Sequence, residues 1–307
     1  MLSSKDESAK PNYVLITPVK NEKENLLGLR STIIGQTIRP LLWTIVDSGS
    51  SDDTLDHCRK LFSDLDWVEI IEQEQFHEKG YSHKNFAQAI DEGYSHLKKI
   101  AIDRCIKFSY IGKTDASPIL SEGYFQALMK EMERNKELAI TCGIQKLIMN
   151  NRVYQIEPVL DSKFSAFNDI RLYRKDFFEL MGGYPITYSP DIILLIKAKK
   201  SGWSSDIVRN ATFIKHRLGG SKIGKWKGYE LKGRAMYCLG YHPILVFLNS
   251  AYHSMKFRPH YVGFGILQGY IISVIRKEDR TDDMEIIEYF RHERLREILN
   301  DLRKHHS

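Results

Sequence analysis

The chain has 307 residues, of which 42% are hydrophobic, 11% aromatic and 27% charged; this composition is that of a globular protein and excludes a disordered or fibrous one. Lysine and arginine (45) exceed aspartate and glutamate (39), and the net charge of +6 is too weak to indicate nucleic-acid binding, although it suits an anionic ligand or membrane surface. Four scattered cysteines without a C-x-x-C pair argue against a zinc finger or a disulfide scaffold.

The N-terminus and the apolar runs carry no clear membrane signal. Residues 1–12 are polar and charged, which predicts a polar tail and no secretory signal. The longest apolar run, residues 261–275, is shorter than the roughly 20 residues that a membrane-spanning helix needs. A helix that lies in the membrane interface stays open for this run.

Along the N-terminal part of the chain, short apolar runs alternate with stretches in which apolar residues recur at the spacing of a helix. We predict strands at residues 13–18, 41–46, 67–71 and 107–112, and helices at residues 22–35, 51–62, 82–99 and 121–135. Ser51 or Asp52 is the expected N-cap of the second helix. This alternation indicates an open, mostly parallel α/β sheet flanked by helices.

Polar segments follow three of the predicted strands, at residues 17–22, 47–50 and 113–117. Open parallel sheets bind ligands beyond the carboxyl ends of their strands, so we expect the three segments to converge at one edge. Each segment alone is typical of a polar loop or a helix cap. The occurrence of three favours a binding site.

Six sequence motifs, in chain order, resemble those of the family 2 glycosyltransferases. They are ITPVKNEKENL (16–26), VDSGSSDDT (46–54), GYSHKNFAQAI (80–90), GKTDASPILSEGYF (112–125), LYRKDFFELMGGYP (172–185) and SPDIILLIKAKKSGW (189–203). Any one motif is weak, whereas six in order over residues 13–217 are specific. The resemblance implies a GT-A (Rossmann-like) fold and inverting transfer of a sugar, of the hexosyltransferase type, from a nucleotide-diphosphate sugar to a hydroxyl acceptor.

The resemblance also implies which residues bind the donor. The nucleotide pocket would consist of Thr17, Pro18, Val19, Glu22, Asp47, Asn85, Lys113 and Asp115. The donor would carry UDP, GDP or dTDP, whose diphosphate must be stabilised as the glycosidic bond breaks. In the family a divalent metal, Mg²⁺ or Mn²⁺, normally bridges that diphosphate.

The implied metal ligands are Asp115, Ser117 and His216. Ser117 stands where the family usually has the last aspartate of its D-x-D motif, and a serine is a poorer ligand for such a cation than a carboxylate. Metal binding is therefore expected to be weak, to depend on His216, or to be replaced by cationic side chains. An ordinary hydrogen-bonded histidine is the alternative for His216. The candidate cations are Lys20, Lys84, Lys113, Lys215 and Arg217.

Asp191 is the predicted catalytic base. Inverting transfer needs one group to take the proton of the acceptor hydroxyl, and Asp191 matches the second acid of the family's E-D pair, whose first acid is replaced here by Pro190. The alternative is that Asp191 is the N-cap of a helix at residues 192–200.

Residues 218–307 are predicted to form a helical extension after the glycosyltransferase-like region 13–217. An aromatic-rich apolar stretch lies between two groups of basic residues, which suits a helix pair at a membrane interface. The stretch resembles the tail of prokaryotic family members that build surface or lipid-linked glycans. A helical subdomain or a homodimer interface is the alternative. Residues 283–304 are predicted to form a charged amphipathic helix.

Two functional hypotheses follow. The first is a cytoplasmic or peripherally membrane-bound glycosyltransferase with a lipid-linked or polysaccharide acceptor. The second is a catalytically impaired member that keeps the nucleotide pocket and serves as a scaffold or regulatory subunit, because Ser117 and Pro190 depart from the family pattern. A nucleotidyltransferase is disfavoured, since no glycine follows the first strand, and no nucleic-acid partner is expected.

Overall fold

The computed structural model describes residues 11–76, 83–149, 152–156, 169–215, 224–256 and 259–304. The chain divides into two compact units. The N-terminal unit contains residues 1–186 and 190–216, and the C-terminal unit contains residues 187–189 and 217–307.

The N-terminal unit is built on one twisted sheet. Its described strands are β1 (Tyr13–Val19), β2 (Trp43–Asp47), β3 (Val68–Glu72), β4 (Tyr110–Lys113), β5 (Ile119–Leu120), β6 (Leu138–Met149), β7 (Arg152–Ile156), β8 (Arg171–Arg174) and β9 (Ser204–Lys215). The strand order is β3-β2-β1-β4-β8-β6-β9-β5, and β7 pairs with β6. The four strands from β3 to β4 are mutually parallel, whereas β8 is antiparallel to both of its neighbours. The predicted α/β sheet is confirmed, and its C-terminal half is mixed.

Helices cover both faces of this sheet. They are α1 (Leu26–Ile34), α2 (Thr54–Leu61), α3 (His83–Asp103), α4 (Tyr124–Arg134), α5 (Lys175–Leu180) and α6 (Pro190–Lys200). Successive side chains of a strand point to opposite faces, so Tyr13 and Leu15 of β1 join a core cluster with α1, α2 and α4. Val14 and Ile16 join the opposite cluster, with α3, α5 and α6.

The predicted N-terminal elements are present with shifted bounds. A 3-10 turn at Lys23–Asn25 precedes α1, so the first helix begins later than predicted. The predicted N-cap of the second helix is wrong, because α2 begins at Thr54 and Asp53 occupies the N-cap position. The Asp52 carboxylate instead accepts a hydrogen bond from the Thr54 backbone N–H at 3.0 Å.

The C-terminal unit is helical in its described residues. Its helices are α7 (Lys225–Cys238), α8 (Pro243–Lys256), α9 (Val262–Arg276), α10 (Met284–Glu288) and α11 (Arg294–Lys304). A π-helical turn at Tyr289–Glu293 joins the last two, so the predicted helix at residues 283–304 is confirmed. Within the described ranges, no helix is both long and apolar enough to cross a membrane.

Glycines allow α7 and α9 to pack backbone against backbone. A Cβ atom on Gly233 of α7 would lie 1.9 Å from the Ile266 carbonyl oxygen, and one on Gly269 of α9 would lie 1.9 Å from the Glu230 carbonyl oxygen. Any residue other than glycine would clash at these two positions, because its Cβ atom would overlap a backbone atom of the neighbouring, closely packed helix. Gly228, on the same helix as Gly233, has open space around its position.

Substitution of these two α7 glycines by alanine is expected to have opposite effects. Gly233→Ala should lower the free energy of unfolding by about 1–3 kcal/mol through overpacking. Gly228→Ala is the matched control and should raise it by about 0.5–1 kcal/mol, because alanine is the better helix former. Urea unfolding followed by circular dichroism measures both values, and a Gly233→Ala protein as stable as Gly228→Ala would contradict the close packing.

Candidate active site

The polar segments after β1, β2 and β4 meet at one edge of the sheet. These three strands are neighbours and parallel, with Val19 beside Asp47 and Ile16 beside Lys113. The convergence that the sequence predicts is therefore present. This edge lies beyond the carboxyl ends of the strands, where open α/β sheets bind their ligands.

The loops that follow β1 and β2 are tied to each other. The Asp47 carboxylate accepts hydrogen bonds from the backbone N–H and the hydroxyl of Ser50. Asn21 has a left-handed φ of 53°, which asparagine tolerates better than most residues, and its side-chain oxygen accepts from the Ser51 N–H at 2.8 Å. The Glu22 N–H donates to the Thr54 hydroxyl at 3.0 Å. Hydrogen bonds within the protein therefore hold this part of the predicted nucleotide pocket in place.

Thr17, Pro18 and Val19 lie in the core of the sheet rather than at its surface. All three are buried, and the Thr17 hydroxyl accepts a hydrogen bond from the Trp43 indole N–H at 2.9 Å. Their side chains fix the position of the β1 end, and it is the loop after Val19 that reaches the edge of the sheet.

Gln73 is a buried residue of this region that the sequence analysis missed. Its backbone N–H donates to the Asp47 carbonyl at 2.9 Å, and its side-chain amide donates to the Asn85 carbonyl at 3.1 Å. The Ser48 hydroxyl donates to the Gln73 side-chain oxygen. Gln73 thus joins the loop after β2 to the first turn of α3, where the predicted pocket residue Asn85 is buried.

Asp191 lies between two buried cations. Lys113 of β4 and Arg171 of β8 are directly opposite each other in the antiparallel pair, and their side chains are only 3% and 2% exposed. Arg171 contacts Oδ1 of Asp191 at 2.9 Å, and Lys113 contacts Oδ2 at 3.4 Å. The hydroxyls of Tyr184 and Tyr173 also donate to Oδ1, at 2.7 and 3.2 Å. Like charges facing each other across a sheet are destabilising, and Asp191 compensates both.

The two cations keep the Asp191 carboxylate ionised. Burial alone would raise its pKa, but Arg171 and Lys113 outweigh burial and lower this pKa to about 2. The alternative prediction that Asp191 is a helix N-cap is wrong, because α6 begins at Pro190 and Asp191 lies in its first turn. Proline is favoured as the first residue of a helix, and an acid in the first turn interacts favourably with the helix dipole.

Asp115 lies in a second ionic cluster, next to the first. Lys215, the last residue of β9, contacts the carboxylates of Asp115, at 3.3 Å, and of Asp169. Burial would lower the pKa of Lys215, but the two carboxylates outweigh burial and raise it, so the ammonium stays charged. Burial raises the pKa of Asp115, against the attraction of Lys215.

The predicted metal ligands do not form a metal site in the described part of the chain. Ser117 is exposed, and His216 lies outside the described residues. The described residues contain no group of three or more histidine, cysteine or acidic side chains that could hold a metal ion. The Lys215 ammonium already contacts the Asp115 carboxylate at 3.3 Å, whereas a metal ion needs oxygen ligands that are free to coordinate it. Among the described residues, Asp115 and Ser117 are therefore a poor donor set for a divalent cation.

The structure adds residues that the sequence did not mark as part of the site. Arg171, Asp169 and Tyr173 were not singled out in the sequence, although each contacts a predicted site residue. Leu172 separates Arg171 from Tyr173 in β8, so the two side chains lie on the same face of the strand. Lys113 was predicted to bind the donor; it is buried against Asp191 and lies 5.0 Å from the centre of the Phe86 ring.

Comparison with solved structures identifies the fold. The mannosyltransferase PcManGT from Pyrobaculum calidifontis, solved in complex with GDP-Man and Mn²⁺, superposes with a TM-score of 0.57 at 13% identity, over 88% of this chain and 89% of that one. S. aureus TarS (residues 1–349) with UDP-GlcNAc gives 0.53 at 14% identity, over 86% and 81%. No protein-family model and no curated protein sequence matches the chain. The chain has the fold of these glycosyltransferases, and the predicted GT-A fold is confirmed.

Asp191→Asn is expected to destabilise the protein by roughly 3 kcal/mol, near the lower end for a broken buried ion pair, because the Asp191 side chain is 25% exposed. The variant leaves Lys113 and Arg171 buried without their counter-charge. Asp176, an exposed acid in the first turn of α5, is the matched control, and Asp176→Asn should change stability by less than about 0.5 kcal/mol.

A double-mutant cycle with Arg171→Met tests whether the pair acts as a unit. The double variant should be less destabilised than the sum of the single variants by about 1 kcal/mol or more, because each single change removes the same contact. Urea unfolding at neutral pH measures the four free energies, and strict additivity would show that the contact contributes nothing.

Proposed function

We propose that this chain is an inverting glycosyltransferase of the hexosyltransferase type, acting from a nucleotide-diphosphate sugar, with Asp191 as the catalytic base. The observation that carries the proposal is the asymmetry of the Asp191 carboxylate. Oδ1 is held by Arg171 and two tyrosines, whereas Oδ2 has one described contact, the 3.4 Å approach of Lys113. The carboxylate is thus fixed in orientation and keeps one oxygen for chemistry.

In the proposed reaction the acceptor oxygen attacks the anomeric carbon as the bond from that carbon to the diphosphate breaks. The nucleoside diphosphate leaves with the bonding electron pair, and the acceptor proton passes to Oδ2 of Asp191. With a pKa of about 2 the base is always ionised at neutral pH. It is a weak base, so the proton moves late, after bond formation to carbon has made the hydroxyl acidic.

The nucleotide is proposed to bind at the edge formed by the loops after β1, β2 and β4. Asp47, Glu22 and Asn85 lie in or next to the segments that meet there, and the loops are already held by hydrogen bonds. The glycosyltransferases that share the fold were solved with GDP-Man, UDP and UDP-GlcNAc. A donor with UDP, GDP or dTDP is therefore the proposed ligand class, and a lipid-linked or polysaccharide glycan is the proposed acceptor.

Asp191→Asn is expected to lose activity and to keep nucleotide binding. Turnover of UDP-GlcNAc or GDP-mannose with water as acceptor should fall by about 10²–10⁴-fold, the range for loss of a general base. The dissociation constant of the matching nucleotide, measured by calorimetry, should stay within about threefold, because Asp191 is not among the proposed nucleotide contacts. Asp176→Asn is the matched control for both readouts.

This pair of measurements also separates the two functional hypotheses. A wild-type protein that binds nucleotide but turns over neither donor would have the behaviour of the impaired scaffold or regulatory member. Equal turnover by wild type and Asp191→Asn would remove Asp191 from the mechanism. Both results can be distinguished from a failure of the wild-type protein to bind any nucleotide.

For the C-terminal unit we propose a contact with an anionic membrane surface. Large apolar side chains are exposed at helical spacing along α8 and α9. They are Ile244, Phe247, Leu248, Tyr252 and Met255 on the first helix, and Phe264, Ile271 and Ile275 on the second. Exposed basic residues end both helices, at Lys256 and at Arg276. Exposed apolar stripes with cationic flanks are the pattern of helices that lie in a membrane interface.

Phe264→Ser is expected to weaken vesicle binding by about tenfold, since one buried aromatic side chain contributes about 1.5–3 kcal/mol. Co-sedimentation with phosphatidylglycerol vesicles measures the binding, and phosphatidylcholine vesicles test the need for anionic lipid. Leu180→Ser, which removes an exposed leucine of the N-terminal unit, should have no effect. Absence of binding together with a dimer in light scattering would instead assign this face to a second copy of the chain.

A further inference from the structure

The Lys215 ammonium contacts Asp115, the carboxylate that the family resemblance implies as a metal ligand. Lys215 ends β9 and Asp115 follows β4. Between them in the sheet, β8 is antiparallel to β4 and to β6, and β6 is parallel to β9. The ends of β4 and β9 therefore lie at the same edge of the sheet. Asp169 precedes the antiparallel β8 and reaches this edge as well.

The geometry fixes the ammonium between two carboxylates. Lys215 contacts Oδ2 of Asp115 at 3.3 Å and also Oδ2 of Asp169. A lysine ammonium has three N–H donors. Among the described residues these carboxylates are the two groups that it contacts, which leaves one donor for a further acceptor. The side chain of Lys215 is 4% exposed, whereas those of Asp115 and Asp169 are 30% and 47% exposed, so the ammonium lies directly beneath the surface of the site.

The residues around this position suit a fixed ammonium better than a divalent ion. A metal site needs several oxygen ligands free to coordinate, but Ser117 contributes no carboxylate and Asp115 is already paired. The two carboxylates instead hold the ammonium in place. A charge-assisted hydrogen bond from such a group to a phosphate oxygen is among the stronger polar contacts in proteins.

We propose that the Lys215 ammonium takes the place of the divalent metal in this chain and binds the diphosphate of the donor, so that nucleotide binding requires no metal. The inference rests on the proposed function, that the donor is a nucleotide-diphosphate sugar. Lys215 would be a donor-binding residue, and Asp169 would be a positioning residue that holds the ammonium in place together with Asp115.

Calorimetry with UDP and with GDP, in EDTA and in Mn²⁺, tests the proposal. The wild-type dissociation constant should agree within about twofold between the two buffers. Lys215→Met should bind at least about tenfold more weakly in EDTA, the loss of one charge-assisted contact. It should regain affinity in Mn²⁺, because Asp115 and Asp169 are then left without a cation. A merely structural role of Lys215 would produce no such rescue by metal.

Three further variants control for folding and for charge. Lys130→Met removes an exposed lysine of α4 and should bind as wild type does. Asp169→Asn keeps the ammonium and should retain most of the affinity. The double variant Lys215→Met, Asp169→Asn leaves only the Asp115 carboxylate without a partner, so it should fold more readily than Lys215→Met. In EDTA the double variant should bind the nucleotide as weakly as Lys215→Met does.

Two results would overturn the inference and leave the proposed function intact. One is wild-type binding that falls by tenfold or more when EDTA replaces Mn²⁺. The other is binding by Lys215→Met in EDTA that equals that of wild type. If wild type binds none of UDP, GDP and dTDP in either buffer, the proposed function fails, and the inference fails with it.

Discussion

The carboxylate of Asp191 allows two cations to face each other inside the sheet. Lys113 and Arg171 are cross-strand neighbours with almost no exposure, and a buried charge without a partner is among the most costly features in a folded protein. Asp191 comes from the first turn of α6, so that helix must dock its N-terminal end onto the ends of β4 and β8. The contacts of Asp191 with Lys113 and Arg171 therefore fix both the position of α6 and the arrangement of the candidate site.

Together the two ionic clusters contain three cations, Lys113, Arg171 and Lys215, and three carboxylates, Asp115, Asp169 and Asp191. The formal charges of these six side chains sum to zero, so the two clusters together are balanced by the protein's own groups. Charges held in such a network reorganise little when a ligand arrives, which is the property that makes preorganised sites effective in stabilising developing charge.

The sequence predicts the parts of this arrangement that are local. The apolar runs of β1 and β2 and the polar residues that follow them are contiguous, and Asp115 and Asp191 stand in motifs of fixed spacing. Arg171 escapes prediction because nothing near it indicates that Asp191, distant along the chain, will reach it. Lys215 is one of five candidate cations in the sequence, and what distinguishes it is its contact with Asp115 and Asp169, which are also distant along the chain. The strands from β5 onward do not alternate regularly with helices. β8 also has arginines at both ends, so its sequence looks polar although the strand is buried.

The structural role of Asp191 and the chemical role proposed for it use different atoms. Oδ1 receives the Arg171 contact and both tyrosine hydrogen bonds, and these contacts stabilise the fold whether or not a substrate is present. Oδ2 faces Lys113 at a distance of 3.4 Å, too long for a strong charge-assisted bond, and an acceptor hydroxyl can compete for it. A carboxylate whose two oxygens are held so unequally can stabilise the fold and still act on a substrate. The proposal for Lys215 makes the same division, because two of its donors contact Asp115 and Asp169 and the third is assigned to the diphosphate.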